Sequence, residues 1–337
     1  MEEAEIFPLV SVVMPVYNAF RTRPEFLLDA VRSICEQTYR DFELIIVDDG
    51  STDGTRALCE EQVGMFPLAT IRVLGKENGG QSSARNLGIR AGRGEFVGFL
   101  DQDDVWYPDK LERVVPLLRR GADMVYTDGD TIDEDGDVIM TGIHRNHRYG
   151  WPHPKRTIED ILFVNAIVMP GLMTVRRQLL LRVGGFDESL SGYEDDDLFL
   201  RIYSEGAITY LPQSTLKWRR HDDAYSLTER QVRSRLLYWR KLLAEHAEGG
   251  RDARRAARIS SRFFRESLGH AGRQLRARNP LWKANLAAAE TMVPHLGAFE
   301  RQIFGRHVAG WCRVTARSRL IRYLMERWWR LFPVRHR

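Results

Sequence analysis

Short, largely apolar runs that break abruptly into polar residues recur four times in the first hundred residues. In chain order they are Val10 to Val16, Leu44 to Val47, Ile71 to Leu74 and Phe96 to Leu100. Short apolar runs of this kind, bounded by charge, are typical of buried parallel strands. Because segments with helical spacing separate the runs, the pattern predicts an α/β fold: a Rossmann-like, mostly parallel sheet flanked by helices.

The segments between the runs place apolar residues on one helical face. One such face follows Pro24, a residue that suits the first turn of a helix, and it consists of Phe26, Leu27, Ala30, Val31 and Ile34. A second segment carries Ala84, Leu87, Gly88 and Ala91. Ser82 or Ser83 is the predicted cap of that second helix, since serine hydroxyls accept hydrogen bonds from the first free N–H groups of a helix.

Three carboxylates follow the fourth run within four residues, as Asp101, Asp103 and Asp104. Like charges packed this closely repel each other and persist mainly where a cation neutralises them. Hard oxygen ligands suit Mg²⁺ or Mn²⁺. Ligands of open α/β sheets bind beyond the carboxyl ends of the strands, which is where these residues are predicted to lie. The alternative interpretation is a solvated acidic turn.

Five motifs in order resemble the glycosyltransferases of family 2, an inverting family with the GT-A fold. The motifs are Val10-Ser11-Val12-Val13-Met14-Pro15-Val16-Tyr17-Asn18, Val47-Asp48-Asp49-Gly50-Ser51-Thr52-Asp53, Ala84-Arg85-Asn86-Leu87-Gly88, Phe99-Leu100-Asp101-Gln102-Asp103-Asp104, and Gly184-Gly185-Phe186-Asp187-Glu188 with Glu194-Asp195-Asp196-Asp197-Leu198. The resemblance covers about the first two-thirds of the chain.

The resemblance implies a donor site for a nucleotide sugar. Asp101-Gln102-Asp103 is similar to the family's DxD motif, in which Asp103 would contact the metal and Asp101 would lie nearer the ribose and sugar. Asp49 would contact the uracil ring or its ribose, and Arg85 would meet the phosphates or the sugar. A surface arginine in a local ion pair is the alternative for Arg85. The nucleotide pocket would be lined by Pro15, Val16, Tyr17 and Asn18.

The same resemblance assigns the general base to Asp195. A base gains from a raised pKa, which the neighbouring carboxylates Glu194 and Asp196 would supply. Asp197 is predicted to begin a helix, whose first turn favours acids. Further along, His221 would join the metal, which is Mn²⁺ or Mg²⁺. The preceding arginines, Arg219 and Arg220, would clamp phosphate or be solvated.

Charge divides the chain into two parts. Residues 231–337 carry 24 Lys and Arg against 7 Asp and Glu, whereas residues 1–230 carry 26 against 39. We therefore expect a GT-A catalytic domain over 1–228 and a basic, largely helical C-terminal region over 229–337. The catalytic domain would comprise a nucleotide-sugar half (1–104) and an acceptor half with the base (105–228).

The basic region is a candidate for docking to the acceptor or to an anionic membrane. Residues 322–332 mix arginine with tryptophan and large apolar residues, a composition that suits an interfacial helix. Packing on its own domain is the alternative. No charge-free apolar stretch reaches the ~18 residues of a membrane span. Three cysteines without paired spacing favour the reducing cytoplasm. The expected location is cytoplasmic, with peripheral attachment to the cytoplasmic membrane face.

The expected activity is metal-dependent, inverting transfer of a hexose from a nucleotide sugar, UDP-linked, to a glycan or lipid-linked acceptor of cell-surface polysaccharide synthesis. We expect acceptor and sugar specificity in loop residues between Asp104 and Glu194, among them Trp106, Asp128, His144, Trp151 and Met169.

Two other classes of protein are alternatives to this activity. A sugar-nucleotide nucleotidyltransferase would carry a Gly-rich basic loop after the first strand, and Met14-Pro15-Val16-Tyr17-Asn18 has neither glycine nor charge. A nucleic-acid-binding protein would use the basic tail, but the acidic first part opposes phosphate backbones, so no nucleic-acid partner is expected.

Overall fold

The computed structural model describes residues 9–66, 70–145, 153–163, 168–221, 228–247 and 252–304. They form two compact units. The first comprises the described residues within 9–161 and 168–221, and the second comprises 162, 163 and the described residues from 228 to 304. The assignment of functional halves within the first unit stays a prediction.

Nine strands of the first unit form one sheet. Their order across the sheet is β3-β2-β1-β4-β8-β6-β9-β5, with β7 pairing to β6. The strands are β1 (Val10–Val16), β2 (Phe42–Asp48), β3 (Thr70–Gly75), β4 (Phe96–Phe99), β5 (Val105–Trp106), β6 (Met124–Ile132), β7 (Val138–Met140), β8 (Met173–Arg176) and β9 (Ile208–Arg219).

Twelve α-helices lie among the described residues. They are α1 (Ala19–Thr22), α2 (Pro24–Cys35), α3 (Thr55–Met65), α4 (Gln81–Ala91), α5 (Lys110–Arg119), α6 (Ile158–Leu162), α7 (Arg177–Arg182), α8 (Glu194–Glu205), α9 (Glu229–Ala247), α10 (Ala253–Arg276), α11 (Trp282–Met292) and α12 (Ala298–Phe304). Short 3₁₀ turns occur at Pro170–Leu172 and Val293–His295.

The four predicted strands form the parallel part of the sheet. β1 pairs in parallel with β2 and with β4, and β2 pairs in parallel with β3. Because Val16 is in register with Asp48 and Val13 with Phe99, the motifs that follow these strands emerge at one edge. This arrangement confirms the predicted α/β fold with a mostly parallel sheet.

Alternate residues of β1 face opposite helical layers, as the two-residue period of a strand requires. The side chains of Val10, Val12 and Met14 share a core with the apolar face of α2, all of whose predicted residues are buried. On the other face α4 lies directly against Val13. A Cβ at Gly88 would come within 2.3 Å of a Val13 methyl group, so glycine lets the helix approach.

The predicted cap of α4 is wrong, because the helix begins at Gln81, before either serine. Its N-cap residue is Gly80, at φ 88°. That backbone conformation favours glycine, and the Gly80 N–H donates to Asp49 Oδ2 at 2.7 Å. Ser82 is buried inside the helix and donates to the carbonyl of Leu190 at 3.1 Å.

The second half of the sheet is mixed. β8 runs antiparallel to both β4 and β6, whereas β9 is parallel to β6 and antiparallel to β5. Register shifts between Thr127 and Gly129 interrupt the long pairing of β6 with β9. This pairing brings the end of β9 to residues 101–104 after β4, which we call the acidic loop. There the Arg219 N–H donates to Asp104 Oδ1 at 2.9 Å.

Helices α9 to α12 make up the described part of the second unit, apart from the end of α6. Buried polar residues join them: Arg235 donates to Asn285 Oδ1 at 2.5 Å, and Trp239 donates to Ser260 at 3.1 Å. Within the described residues, no helix is both long and apolar enough to cross a membrane. The Arg- and Trp-rich segment 322–332 lies outside the described residues.

Candidate functional site

The loops after β1, β2 and β4 are tied together by side-chain hydrogen bonds. Gln102 accepts from the Tyr17 N–H at 2.8 Å and donates to the Tyr17 carbonyl at 3.3 Å. Asn18 accepts from the Thr52 N–H at 2.9 Å, and its own N–H donates to Ser51 at 3.0 Å. The sequence therefore folds so that Tyr17, exposed at 46%, stands beside the acidic loop.

Pro15 and Val16 end β1 inside the sheet, with Val16 only 2% exposed. Asn18 adopts a left-handed conformation at φ 47°, which asparagine tolerates better than most residues. Donor contacts by these residues remain a prediction. The structure does bring all four to the edge where the acidic loop lies.

Asp103 and His221 are neighbours, although 118 positions separate them. Asp103 Oδ2 lies 2.9 Å from His221 Nε2. The aspartate side chain is 32% exposed and the imidazole 7% exposed. The ring of Phe26 packs at 5.7 Å from the imidazole, so the histidine is held by α2 on one side. The two residues predicted as metal ligands are thus brought together.

Arg219 is buried next to this pair. The sequence predicted a phosphate clamp or a solvated side chain, but the guanidinium bonds groups of the protein. Its Nε donates to the Asp103 carbonyl at 3.0 Å, and its Nη2 donates to Asp29 Oδ2 at 3.1 Å. The guanidinium lies 4.3 Å from the Phe26 ring. Arg219 therefore orders the acidic loop against α2.

Asp104 is buried and lies behind the more exposed Asp103. Burial raises the pKa of the Asp104 carboxyl well above its usual range, and the charges of Asp103 and Asp101 raise it further, while Arg219 lowers it. The three aspartates therefore differ in environment, as expected when one carboxyl supports a loop whose other carboxylates face solvent or a cation.

Asp49 is also buried, and its carboxylate accepts hydrogen bonds from the residues that precede α4. Oδ1 accepts from Lys76 Nζ at 2.8 Å and from the Gly79 N–H at 3.0 Å, in addition to the Gly80 bond to Oδ2. Oδ2 can therefore accept one more hydrogen bond, for example from a nucleobase N–H. The predicted uracil contact is compatible with this arrangement and stays a prediction.

Arg85 is buried and is not a surface arginine. Its side chain is 1% exposed, and it spans two carboxylates: Nη2 donates to Asp101 Oδ1 at 2.6 Å, and Nη1 donates to Glu194 Oε1 at 3.1 Å. The guanidinium links the acidic loop to the start of α8. The predicted base, Asp195, is the next residue along α8.

Asp195 remains partly exposed, whereas Glu194 and Asp196 on either side are buried. Desolvation raises the pKa of the Asp195 carboxyl well above its usual range, and the charges of Glu194 and Asp196 raise it further. Tyr193, the N-cap residue, is held at φ 66°, an uncommon conformation for a bulky residue. Such strain clusters at functional sites.

Helix α8 begins at Glu194, three residues before the predicted start, and Asp197 lies in its acidic first turn as expected. Asp197 accepts two hydrogen bonds from Arg201, at 2.7 Å and 2.9 Å, one turn later. The side chain of the N-cap residue Tyr193 does not cap α8. The first turn of the helix is closed by a backbone hydrogen bond, in which the Asp197 N–H donates to the Tyr193 carbonyl at 3.0 Å.

The Gly184-Gly185-Phe186 motif is a docking loop for α4. Asn86 accepts from the Phe186 N–H at 2.8 Å and donates to the Phe186 carbonyl and to Glu188, both at 2.9 Å. Gly185 has φ 68°, and a Cβ there would lie 2.4 Å from Asn86 Oδ1. These contacts bring the motif and the Arg85 helix together.

Several residues expected to govern specificity are structural. Trp106 is 2% exposed and donates to the Gly171 carbonyl, and Asp128 is fully buried and accepts from the His144 N–H at 2.8 Å. His144 is itself buried. These three side chains lack the exposure needed to contact a sugar. Met169 is partly buried against the core, and Trp151 lies outside the described residues.

Two side chains that order the site were missed from the sequence. Lys76 holds Asp49, and Gln81 donates to Glu194 Oε1 at 2.5 Å. Neither stands in a motif. The neighbouring Gly79-Gly80 pair is the only sequence signal that pointed to a special turn there.

Asp103 and His221 fit as two ligands of a metal ion whose coordination shell is completed by water or substrate oxygens. No group of three or more His, Cys, Asp or Glu side chains within the described residues is arranged to hold an ion. Asp103 and His221 supply one oxygen and one nitrogen. Mg²⁺ and related ions are commonly held by one or two carboxylates together with water and substrate phosphates, and Mn²⁺ accepts imidazole as well.

Solved structures share this fold. The chain is similar to S. aureus TarS 1–349 in complex with UDP-GlcNAc, with a TM-score of 0.64 and 18% identity over 91% of this chain and 88% of that one. It is also similar to the mannosyltransferase PcManGT from Pyrobaculum calidifontis in complex with GDP-Man and Mn²⁺, with a TM-score of 0.56 and 19% identity over 93% and 85% of the two chains.

Curated relatives match the first part of the chain. An uncharacterized glycosyltransferase of Rickettsia prowazekii (strain Madrid E) is 31% identical over 219 residues, which are 64% of this chain and 64% of the relative. A chondroitin synthase of Escherichia coli is 31% identical over 207 residues. That match covers 60% of this chain and 28% of the synthase, so the chain corresponds to only part of these relatives.

The model of glycosyl transferase family 2 matches residues 11–184, just over half of the chain. This span includes β1, the acidic loop and the Arg85 helix, and it confirms the family and the enzyme class predicted from the motifs. It favours a glycosyltransferase over a nucleotidyltransferase or a nucleic-acid-binding protein. The chain belongs to glycosyl transferase family 2.

Proposed function

We propose that this protein is an inverting, metal-dependent glycosyltransferase that moves a hexose from a nucleotide sugar, UDP-linked, to a glycan or lipid-linked acceptor. The observation that carries the proposal is the contact of Asp103 with His221 and, in the same acidic loop, the contact of Asp101 through Arg85 with Glu194, the residue before Asp195. A carboxylate–imidazole pair and a carboxylate of raised pKa are the two kinds of group that the transfer requires, one for the metal and one for the proton.

The donor would bind at the edge formed by the loops after β1, β2 and β4. Tyr17 and Asn18 would lie along the nucleotide, and Asp49 would meet its base. Support comes from the bonds of Gln102 and Asn18, which join the three loops into one surface. TarS, solved with UDP-GlcNAc, shares the fold and supports a nucleotide-sugar donor.

Asp103 and His221 would hold Mn²⁺ or Mg²⁺ together with the donor diphosphate. A bound divalent cation would relieve the negative charge that develops on the leaving diphosphate. The fit rests on the 2.9 Å approach of the two side chains and on the remaining exposure of Asp103. PcManGT, solved with Mn²⁺, has a similar fold.

Asp195 would accept the proton of the acceptor hydroxyl as that oxygen attacks the anomeric carbon. The bond from this carbon to the diphosphate oxygen breaks on the opposite face, which inverts the configuration. A raised pKa makes the carboxylate a stronger base than an exposed aspartate. No protein nucleophile is needed on this path, because the acceptor oxygen attacks directly.

The acceptor class is inferred from the relatives and from charge. The similar Escherichia coli protein is named a chondroitin synthase, which supports a role in polysaccharide synthesis. The basic residues of 231–337 favour an anionic partner, either a lipid-linked acceptor or an anionic membrane at the cytoplasmic face.

The test is nucleotide release from a panel of nucleotide sugars, measured with Mn²⁺, with Mg²⁺ and with chelator. We expect slow hydrolysis of one donor that requires the metal and is lost in Asp103→Ala. Asp41→Ala is the matched control, because Asp41 precedes β2 at the opposite end of the strands, where it accepts a hydrogen bond from the Leu9 N–H at 3.0 Å.

Where a strict enzyme hydrolyses no donor without acceptor, thermal stabilisation by the same panel reports donor binding, since a ligand that binds only the folded state raises its stability. Neither release nor stabilisation with any nucleotide sugar would overturn the proposal. Equal activity in chelator and in metal would overturn metal dependence alone.

A further inference from the structure

Arg85 occupies the space between the two halves of the candidate site. It lies on α4, in the second turn, and its guanidinium reaches Asp101 of the acidic loop and Glu194 of α8. The two carboxylates are 93 positions apart in the chain. One side chain is therefore bonded to both the loop of the proposed metal ligand and the helix of the proposed base.

Both terminal nitrogens of the guanidinium bond these two carboxylates, whereas the buried Nε has no hydrogen-bond partner among the described residues. The Arg85 side chain is 1% exposed, and that of Glu194 is 6% exposed. Burial by itself would lower the pKa of Arg85, but the charges of Asp101 and Glu194 outweigh it and raise the pKa. The cation is thus stabilised by the two carboxylates, and each carboxylate depends on it in turn.

Phe186 lies against the Arg85 guanidinium. The guanidinium carbon lies 5.2 Å from the centre of the Phe186 ring, and Asn86 fastens that residue to α4. Gln81 donates to the same Glu194 oxygen as Arg85. Because the Arg85 side chain is 1% exposed, a donor phosphate would have to displace protein groups to reach the guanidinium, and displacing Glu194 would leave a buried carboxylate without its cation.

We propose that Arg85 is a positioning residue that fixes the base helix relative to the metal loop and does not itself contact the donor. The proposal rests on the proposed function, and it replaces the phosphate contact that the family resemblance implies for this residue. The planar guanidinium can donate to two carboxylates at once, in fixed directions.

Loss of this geometry should lower turnover and spare donor affinity. Lysine keeps the charge but presents a single ammonium on a flexible stem, so it cannot hold both carboxylates at the same separation. A displacement of about 1 Å between catalytic groups costs roughly 10²-fold in rate. We expect Arg85→Lys to reduce kcat by about this factor.

The experiment compares kcat with donor affinity in Arg85→Lys and wild type. Affinity is measured by calorimetric titration of UDP in the presence of Mn²⁺, and kcat by nucleotide release from the donor identified in the panel. We expect the Kd for UDP to stay within about threefold of wild type. A tenfold weaker Kd would show a direct donor contact and overturn the proposal, as would an unchanged kcat.

Arg72→Lys is the matched control. Arg72 also bonds a buried carboxylate, Glu43, at 3.1 Å, but it does so where β2 and β3 begin, at the opposite end of the strands. Its kcat should equal that of wild type. If Arg72→Lys lowers kcat as much as Arg85→Lys does, the effect is a general loss of stability and the proposal fails.

A double variant guards against misfolding. Arg85→Met with Glu194→Gln leaves no unpaired charge at Glu194, so it should fold even where Arg85→Met does not. Its kcat should remain low, and recovery of wild-type kcat would overturn the positioning role.

If wild type releases no nucleotide and binds no donor, the proposed function fails and this proposal falls with it. An active wild type confines any failure to Arg85.

Discussion

At the scale of single residues, Asp195 owes its basicity to the groups around it. Desolvation raises its pKa, and the charges of Glu194 and Asp196 add to that effect. A proposed base of raised pKa is protonated at low pH, so activity should be absent there and should rise with pH through that pKa. The acidic limb of kcat/KM should therefore lie above the usual range of an aspartate.

Asp195→Asn should abolish transfer and spare donor binding. An amide cannot accept the proton of the acceptor hydroxyl, and the loss of a general base costs roughly 10²–10⁴-fold in rate. Steady-state transfer and UDP titration measure the two effects separately. Asp197→Asn is the control. It breaks the ion pair with Arg201 but should retain kcat, so equal losses in both variants would contradict the assignment of the base.

Lys110 is a second residue whose charge depends on its surroundings. Its Nζ is buried, donates to the Gly171 carbonyl at 3.0 Å and to Thr215 at 3.1 Å, and lies 4.9 Å from the Trp106 ring. Burial lowers the pKa of Lys110 to about 7. Between this value and the ordinary value of 10.5, the unfolded chain binds a proton that the folded protein does not.

Stability should consequently rise with pH from about 7 towards 10.5. Below pH 7 both states carry the charge, and the full cost of burying it, about 5 kcal/mol from the difference between the two pKa values, is present. Lys110→Met should flatten this rise, as measured by urea unfolding at several pH values. Lys217→Met, on β9, is the control and should keep the wild-type pH dependence. A rise that persists unchanged in Lys110→Met would contradict the interpretation.

At the scale of elements, two helical glycines show how packing overrides propensity. Gly88 of α4 faces β1, where a Cβ would come within 2.3 Å of Val13. Gly269 of α10 has only the tip of Arg273 nearby, at 3.7 Å. In an open helical position alanine is more favourable than glycine by roughly 0.5–1 kcal/mol.

The same substitution should therefore have opposite effects at the two sites. Gly269→Ala should raise the free energy of unfolding by up to about 1 kcal/mol. Gly88→Ala should lower it by about 1–3 kcal/mol, because extra volume in a packed core forces side chains and backbone to shift. Chemical denaturation of each single variant decides this, and stabilisation by Gly88→Ala would contradict the packing of α4 against β1.

At the scale of the whole molecule, the distribution of charge is the outstanding feature. Residues 1–230 are acidic in balance and residues 231–337 are strongly basic. An acidic part repels polyanions, whereas clustered Arg and Lys near an anionic surface contribute about 1 kcal/mol each to attraction. The basic part is thus the part that would bring the enzyme to a lipid-linked acceptor.

Vesicle flotation tests this attraction. We expect the full chain to float with vesicles containing anionic lipid at low salt and to be released at high salt, because exposed charges are screened. Reversal of Arg322, Arg327 and Arg330 to Glu should weaken binding. Vesicles of neutral lipid are the control. Equal binding to both vesicle types, or none to either, would contradict a role for charge.

The sequence alone determined the elements and their order in the first part of the chain. The apolar runs became β1 to β4, and the face of α2 is buried as its spacing predicts. The polar motifs lie at the carboxyl ends of parallel strands, so the region of the site was also predictable. Periodicity and strand-end position are local properties, and a sequence records local properties directly.

The partners of the polar side chains, by contrast, follow from the three-dimensional arrangement of the chain. Arg85 bonds residues 16 and 109 positions away, Asp103 meets a histidine 118 positions away, and Arg219 reaches 190 positions back to Asp29. The start of α4 is likewise set by the Asp49 carboxylate of another loop. Such pairings depend on how strands align across the sheet and on which charges become buried together. Those two conditions are set by contacts between distant segments, which local sequence patterns do not record.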